Sequence, residues 1–370
     1  MVTGQATAEG TSRYATRLGQ RVRPEHFRTM RPDLQVSSIG LGTYLGAEDD
    51  ATDVLYRRAI TAALERGVNL FDTAVNYRHQ RSERVIGAAL QAAIGRGLCT
   101  RDEVIVATKG GFIALDAADP RDPRTYFSDT YLQPGIVKPD DVVAGSHCMA
   151  PRFLENQIER SRQNLGVDTI DIYYVHNPET QLDEVDRAEF GSRIREAFSA
   201  LEDAVAAGRI ARYGTATWNG YLVDAGQPGH LSLAEMVAAA RDAGGPDHHF
   251  SVVQLPYNLG MHQAFTRATQ VVGDQTMSLL SAAERLGVYV MASASVHQGQ
   301  LTRGLPEDLH AFLPELDTDA QRALQFVRSS PGIGSALVGM KTVAHVEENA
   351  AVGRTTPLAW EQFKRMFSES

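Results

Sequence analysis

Cysteine is scarce in this sequence, with 2 among 370 residues, Cys99 and Cys148. They lie far apart and without C-x-x-C spacing, which argues against a disulfide framework and against a structural zinc site. His147 precedes Cys148, but two adjacent residues supply only part of a metal-ligand set, and no second pair is visible. We therefore predict two reduced thiols and no metal site.

The sequence also lacks long apolar runs and any excess of positive charge. No apolar stretch approaches the roughly 20 residues that a membrane-spanning helix needs. The N-terminus has no apolar segment of the secretory type, so we expect a cytoplasmic protein with no membrane partner. A net charge of -9 argues against a nucleic-acid partner, because phosphate binding needs concentrated lysine and arginine.

Apolar periodicity predicts strands and helices that alternate along most of the chain. The predicted strands are residues 38–43, 68–72, 104–108, 170–175, 210–214, 251–255, 288–292 and 335–338. The predicted helices are residues 52–66, 82–94, 152–165, 194–206, 232–243, 275–286, 319–329 and 343–351. Each helix must return the chain to the same end of the sheet, so the strands are parallel. No G-x-G-x-x-G follows the first strand, and the repeated units, with polar side chains at several strand ends, favour a barrel over an open dinucleotide-binding sheet.

Polar side chains follow three predicted strands in succession. The run V-N-L-F-D-T-A-V-N-Y places Asp72 at a strand end and Tyr77 five residues later, the next strand leads to Lys109, and I-D-I-Y-Y-V leads to His176. This order resembles the aldo-keto reductase family, and the resemblance spans about residues 30–349. It implies a (β/α)8 barrel, a nicotinamide cofactor and a catalytic tetrad of these four residues. Singly, each residue type has an ordinary structural role, so the order of all four carries the prediction.

The chemistry of carbonyl reduction explains why these residue types belong together. Hydride addition leaves negative charge on the carbonyl oxygen, so a proton donor must lie within hydrogen-bond reach of it. Tyr77 is the predicted donor, and a neighbouring Lys109 ammonium is expected to lower the pKa of its phenol. Asp72 is expected to pair with Lys109, and His176 to orient the carbonyl.

The resemblance also implies residues for the nicotinamide half of the cofactor. Gln254, in V-V-Q-L-P-Y-N-L, and Thr217 match positions that hydrogen-bond the nicotinamide amide. Ser293 stands where relatives carry a ring that stacks on the nicotinamide. Tyr289, Trp218 and the long insertion after the third strand are candidates to replace that ring.

The segment G-M-K-T-V-A-H-V-E-E-N resembles the part of the family that binds the adenosine half. By this resemblance, Lys341 and Thr342 contact the 2′-phosphate, Glu348 and Asn349 bind the adenine, and His345 replaces a common arginine. Because a lysine ammonium suits a phosphate, we expect NADP(H) as cofactor and leave NAD(H) open.

Three segments lie outside the alternation. Residues 1–26 lack a sustained period and are expected to form a flexible arm, before a single domain over residues 27–370 that opens with a β-hairpin at 28–36. Residues 357–367 predict an added C-terminal helix. Residues 112–151, after the third strand, hold five prolines and are too long for an ordinary connection. We interpret this insertion as a lid or pocket wall, with a solvated excursion or an oligomer contact as the alternative.

Together these features predict an NADP-dependent oxidoreductase that transfers a hydride between the nicotinamide and a small carbonyl or alcohol substrate. The polar and aromatic insertion suggests a sugar or another oxygenated metabolite. Two functions on the same fold stay open: a cofactor-binding regulatory or sensor subunit, and an epimerase or lyase that uses bound nicotinamide transiently. A homo-oligomer is also left open.

Overall fold

Eight parallel strands close into a barrel in the structure, a computed structural model that describes residues 1–367. The strands, numbered in chain order, are β1 (Phe27–Met30), β2 (Leu34–Ser37), β3 (Ile39–Gly42), β4 (Leu70–Asp72), β5 (Ile105–Gly110), β6 (Ile172–His176), β7 (Tyr213–Ala216), β8 (Phe250–Pro256), β9 (Gln270–Val272), β10 (Gln275–Met277), β11 (Tyr289–Ser293) and β12 (Ile333–Gly339). The barrel order is β3-β4-β5-β6-β7-β8-β11-β12, and β12 pairs with β3 to close it. The prediction of a (β/α)8 barrel is confirmed.

Helices follow the barrel strands as the alternating pattern predicted. They are α1 (Ala8–Leu18), α2 (Asp50–Glu65), α3 (Arg81–Gly95), α4 (Pro123–Phe127), α5 (Pro151–Leu165), α6 (Arg187–Ala206), α7 (Leu233–Gly244), α8 (Gln263–Thr266), α9 (Leu279–Leu286), α10 (Glu307–Phe312), α11 (Asp319–Ser329), α12 (Val343–Ala350) and α13 (Trp360–Arg365). The C-terminal helix is shorter than the predicted residues 357–367. Residues 368–370 of the predicted domain lie outside the described part of the chain.

The antiparallel pair β1–β2 is the predicted hairpin, and it covers the amino-terminal end of the barrel. Met30, Leu34 and Val36 of the hairpin share one buried cluster with Leu70 and Ile105, the first residues of β4 and β5. Because this end is plugged by apolar side chains, the opening that a ligand can enter lies at the carboxyl ends of the strands.

The predicted helix over residues 275–286 is wrong in its first turn. Residues 275–277 form β10, which pairs with β9 across a turn where Gly273 has φ 66°. Helix α9 begins only at Leu279, because the Ser278 side chain accepts a hydrogen bond from the backbone N–H of Ser281 and caps it there.

The N-terminal segment differs from the expected arm, because it contains a helix packed on the barrel. Tyr14 of α1 is fully buried, and its hydroxyl donates to the Leu64 carbonyl at 2.6 Å. Arg17 pairs with Glu103 at 2.6 Å. A short amphipathic helix anchored by one buried ring has too few apolar residues to give a clear period in the sequence.

The insertion between β5 and α5 has a small core of its own. Tyr126, Tyr131, Val137 and Cys148 are buried together against Phe153 of α5. The Tyr131 hydroxyl donates to the Ala114 carbonyl at 2.9 Å. The segment is therefore a packed subdomain beside the barrel mouth. The alternative of a solvated excursion is wrong.

None of the helices in residues 1–367 is both long enough and apolar enough to cross a lipid bilayer.

Candidate active site

Asp72 and Lys109 form a buried ion pair at the carboxyl ends of β4 and β5. The Lys109 Nζ lies 2.7 Å from Asp72 Oδ1 and 2.8 Å from the Thr73 carbonyl oxygen, and the two paired side chains are 7% and 1% exposed for Asp72 and Lys109. Burial lowers the pKa of Lys109, but attraction to Asp72 and Tyr77 outweighs burial and leaves that pKa above its usual value. Lys109 therefore stays an ammonium at neutral pH.

Tyr77 lies beside this ion pair, with its ring centroid 4.9 Å from the Lys109 Nζ. Burial raises the pKa of Tyr77, and the opposing effect of Lys109 is smaller, so the pKa is above its usual value. The expected lowering by Lys109 is present, but the raising effect of burial is larger, because a sequence shows the neighbouring cation but not the loss of water around the phenol. A protonated phenol can serve as an acid across the neutral range.

His176 ends β6 and meets Tyr77 edge to face, with ring centroids 6.0 Å apart. Burial, followed by Lys109 and His147, holds the pKa of His176 well below its usual value, so the imidazole is neutral at neutral pH. Its Nδ1 is buried and has no hydrogen-bond partner among the described residues. A neutral imidazole carries one N–H donor, and His176 lies in the cavity wall, where this donor can hydrogen-bond a substrate oxygen.

A residue of the insertion, His147, holds the chain at His176. Its Nε2–H donates to the His176 carbonyl at 2.7 Å, while the Gln181 amide donates to its Nδ1 at 2.8 Å. The ring of Phe112 lies edge to face with both histidines, at 5.1 Å from each. In the sequence His147 stands out only as a possible metal ligand beside Cys148, and no local pattern indicates its contact with His176.

One cavity of about 780 Å³ opens at the carboxyl ends of the strands and brings the predicted residues together. Its wall includes three members of the tetrad and seven predicted cofactor residues: Asp72, Tyr77, His176, Thr217, Gln254, Ser293, Lys341, His345, Glu348 and Asn349. Lys109 lies behind Asp72 and Tyr77. Thr342 is not in the wall; its hydroxyl instead accepts a hydrogen bond from the His345 N–H and caps α12.

The cavity wall contains buried polar atoms that need a partner. Thr217 Oγ1 and Asn349 Oδ1 are both buried without a hydrogen bond to any described residue. An unsatisfied buried oxygen is costly unless a ligand supplies the donor. These two atoms therefore fit a ligand that carries several polar groups, as a dinucleotide does.

Of the candidate rings that could stack on the nicotinamide, Tyr289 lies outside the described cavity wall and Trp218 lies in it. Tyr289 begins β11, and its hydroxyl pairs with Ser335 at 2.9 Å, away from the cavity wall, so it cannot stack on a ligand there. Trp218 lies in the wall with 43% of its surface exposed. Trp218 and, from the insertion, Phe112 are the candidate rings that lie in the wall.

Two further wall residues were missed from the sequence. Arg303 lies in the wall within the segment 294–303, where Gly299 adopts φ 93°. Asn177 follows His176 with φ 46°, a left-handed conformation that asparagine tolerates better than most residues. The available signals were a cation in a glycine-containing loop and an asparagine directly after a predicted strand end.

Comparison with known proteins decides the family. The model of the Aldo/keto reductase family matches residues 38–368. The chain belongs to this family. The match covers all eight barrel strands from β3 onward, and with them every residue of the tetrad.

Relatives of this aldo/keto reductase include two sugar dehydrogenases. It is 25% identical to D-threo-aldose 1-dehydrogenase from a Pseudomonas species, over 86% of this chain and 88% of that protein. It is 27% identical to L-galactose dehydrogenase from Arabidopsis thaliana, over 89% of this chain and 88% of that protein.

Solved structures share the fold. An aldo/keto reductase from Klebsiella pneumoniae in complex with NADP and acetate is 24% identical, with a TM-score of 0.60 over 93% of this chain and 94% of that one. Glycerol dehydrogenase from Gluconobacter oxydans is 20% identical, with a TM-score of 0.63 over 92% of this chain and 94% of that one.

Proposed function

We propose that the protein is an NADP(H)-dependent oxidoreductase that interconverts a carbonyl and an alcohol on a neutral sugar-like substrate. The observation that supports this proposal is that one cavity contains Tyr77 and His176 as well as the cationic side chains of Arg303 and Lys341. NADPH bound in this cavity would supply the hydride, and NADP+ would accept it in the reverse direction. The residues of the chain supply binding, orientation and the proton.

Tyr77 is the proposed general acid in reduction and general base in oxidation. Its protonated phenol donates to the developing alkoxide, and the Lys109 ammonium stabilises the phenolate that remains. Asp72 keeps Lys109 charged and fixed, because a buried cation needs a paired anion. His176 donates a hydrogen bond that orients the carbonyl toward Tyr77.

The proposed cofactor residues fall into groups that suit the phosphates, the adenine and the nicotinamide amide. Lys341 and Arg303 carry charges suited to phosphate groups, with His345 beside them. Glu348 and Asn349 offer acceptors for the exocyclic amine of adenine, and Thr217 an unused hydroxyl for the nicotinamide amide. Gln254 is proposed for the same amide, although one of its amide protons is already donated to Asp72.

The substrate end of the cavity favours a neutral, hydroxylated molecule. Apart from Asp72, the charged residues in the described wall lie between Arg303 and Glu348, on the proposed cofactor side. The wall also contains aromatic and amide groups, namely Tyr44, Phe112, Trp218 and Asn177, and the ring of Tyr44 packs on that of Tyr77. Aromatic faces suit the C–H face of a sugar, and the names of the two dehydrogenase relatives agree with an aldose.

The test is a turnover assay over a panel of aldoses and alditols. Purified protein is mixed with NADPH or NADP+, with NADH and NAD+ in parallel, and the nicotinamide absorbance is followed. Turnover of at least one sugar, with a higher kcat/KM for the phosphorylated cofactor, is expected. NADPH binding, measured by fluorescence, without turnover of any carbonyl would favour the sensor function, which Ser293 in place of a stacking ring also favours.

A further inference from the structure

Three consecutive residues after Tyr77 adopt left-handed backbone conformations. Arg78, His79 and Gln80 have φ values of 49°, 47° and 71°. A residue with a Cβ pays free energy in this region, whereas glycine adopts it without cost. Conformations of this kind persist only when the surroundings hold them, and they cluster at functional sites. The side chains of these residues should therefore show what holds the turn.

Arg78 makes buried contacts with the loop that follows β3 and with the first turn of α2. Its side chain is 2% exposed, its Nε donates to the Ala47 carbonyl at 2.8 Å, and its Nη2 lies 2.6 Å from Asp53 Oδ1. Its guanidinium also lies over the ring of Tyr56, 5.5 Å from the centroid. The Tyr56 hydroxyl donates to the Leu45 carbonyl at 2.5 Å. Arg78 thus contacts the segment 44–53, which comprises the loop after β3 and the first turn of α2, at Ala47 and at Asp53.

This loop contributes directly to the cavity. Tyr44 and Leu45 line the wall, and the ring of Tyr44 packs on the ring of Tyr77 with centroids 4.9 Å apart. Because Arg78 is the next residue after Tyr77, its contacts join the phenol and its aromatic neighbour into one rigid unit.

Gln80 makes buried contacts with the insertion and with α5. Its side chain is fully buried, its Nε2 donates to the Leu115 carbonyl at 3.0 Å, and its Oε1 accepts from Asn164 at 3.1 Å. The backbone of His79 adds to this contact, because its carbonyl accepts from the Ala117 N–H at 3.1 Å.

Helix capping does not account for the turn. Gln80 is the N-cap residue of α3, but its side chain makes no capping hydrogen bond. Glycine at all three positions would connect β4 to α3 without strain. The side chains of Arg78 and Gln80 therefore have a role other than starting the helix, and their contacts identify the two loops beside Tyr77.

We propose that Arg78 and Gln80 are positioning residues that aim the Tyr77 phenol into the cavity by clamping its turn between the segment 44–53 and the insertion. The proposal rests on the proposed function of Tyr77 as general acid. A displaced phenol leaves hydrogen-bond reach of the substrate oxygen, and small displacements of a catalytic group have large effects on rate. Arg78 and Gln80 act through Tyr77 and do not touch the reacting atoms.

The experiment compares Arg78→Gly and Gln80→Gly with His79→Gly. All three changes relieve the backbone strain of a left-handed residue. The His79 side chain, however, is 41% exposed and pairs with Glu48 at the surface, so His79→Gly removes an exposed ion pair and no buried side-chain contact among residues 1–367. We expect kcat to fall about 10- to 100-fold in the first two variants and to stay near wild type in the third. Affinity for NADPH, measured by fluorescence, is expected to stay unchanged in all three.

A double-mutant cycle separates positioning from a structural role. In the Tyr77→Phe background, Arg78→Gly is expected to cause no further loss of kcat, because no phenol remains to be aimed. If Arg78→Gly does not fold, Arg78→Lys, which keeps a cation beside Asp53, replaces it with an intermediate loss of kcat expected.

Three results would overturn the proposal. The first is a kcat within twofold of wild type for both Arg78→Gly and Gln80→Gly, and the second is a loss from Arg78→Gly that is equally large in the Tyr77→Phe background. Tyr77→Phe at full activity would contradict the proposed function, and the positioning proposal with it. The first of these results, obtained beside a Tyr77→Phe variant that has lost its activity, would contradict positioning alone.

Discussion

Gln254 donates its side-chain N–H to Asp72 Oδ2 at 2.7 Å, while Lys109 holds Oδ1 at 2.7 Å. The buried carboxylate thus has one partner from β8 and one from β5. Removing the Gln254 donor leaves a carboxylate oxygen short of a hydrogen bond inside the barrel.

We therefore expect Gln254→Leu to lower the free energy of unfolding by about 1–3 kcal/mol, the range for a buried hydrogen bond to a charged group. Urea denaturation followed by circular dichroism measures the change. Gln298→Leu is the matched control, because Gln298 lies on the same cavity but is exposed. Equal stability of Gln254→Leu and the wild type would argue against this role.

The raised pKa of Tyr77 predicts opposite pH profiles for the two directions. Reduction needs the protonated phenol, so kcat should be flat over roughly pH 6 to 9 and fall only as the pH rises through the raised pKa. Oxidation needs the phenolate, so its kcat should climb with pH over the same range. A reduction rate that declines steadily from neutral pH upward would mean that the phenol pKa is not raised.

Lys109→Met should harm both catalysis and stability. Without the ammonium the pKa of Tyr77 rises further, so oxidation should lose more rate than reduction. Asp72 is left as an unpaired buried charge, which costs about 3–5 kcal/mol of unfolding free energy.

Tyr77→Phe should lose about 10²- to 10⁴-fold in kcat and keep its stability. Both variants are assayed for turnover and for urea denaturation.

Lys341→Ala should weaken NADP(H) more than NAD(H), because only NADP(H) carries a 2′-phosphate for the ammonium to meet. Fluorescence titration with NADPH and NADH gives the two dissociation constants. Lys138→Ala, in the insertion and outside the cavity wall, should change neither. Equal losses for the two cofactors would remove Lys341 from the phosphate site.

Burial lowers the pKa of His147 to about 4. Below about pH 6.5 the unfolded chain binds a proton there that the folded chain does not take up until about pH 4, so stability falls as the pH drops through this window. The slope is about 1.4 kcal/mol per pH unit for one proton. His147→Gln should make the unfolding free energy less steep by up to that amount, and a curve parallel to wild type would speak against it.

Phe112 is the only residue of the insertion in the described cavity wall. Phe112→Ala should therefore raise the KM for the carbonyl substrate while leaving NADPH affinity unchanged. Phe127→Ala, in the separate core of the insertion, should leave KM unchanged. Equal effects would mean that the insertion acts on the site as a whole, in keeping with the lid interpretation.

The barrel and the gathering of Asp72, Tyr77, Lys109 and His176 were predictable from the sequence. Helical and strand periods alternate clearly, and parallel strands bring their carboxyl ends to one side of the barrel. Residues that directly follow such strands must meet there whatever their distance in the chain. The boundaries of α11 were likewise predicted to the residue, because Thr318 caps the helix and the apolar period is regular.

Other features depended on contacts that no local pattern contains. The partner of Gln254 lies 182 residues away, and His147 meets a backbone carbonyl 29 residues away. The direction of the Tyr77 pKa shift follows from how much water the folded chain removes around the phenol. Helix α1 is held on the barrel by contacts with distant segments, among them the hydrogen bond from the Tyr14 hydroxyl to the Leu64 carbonyl. Sequence periodicity reports which face of an element is buried, whereas burial depth, hydrogen-bond partners and electrostatic balance arise only when distant segments pack together.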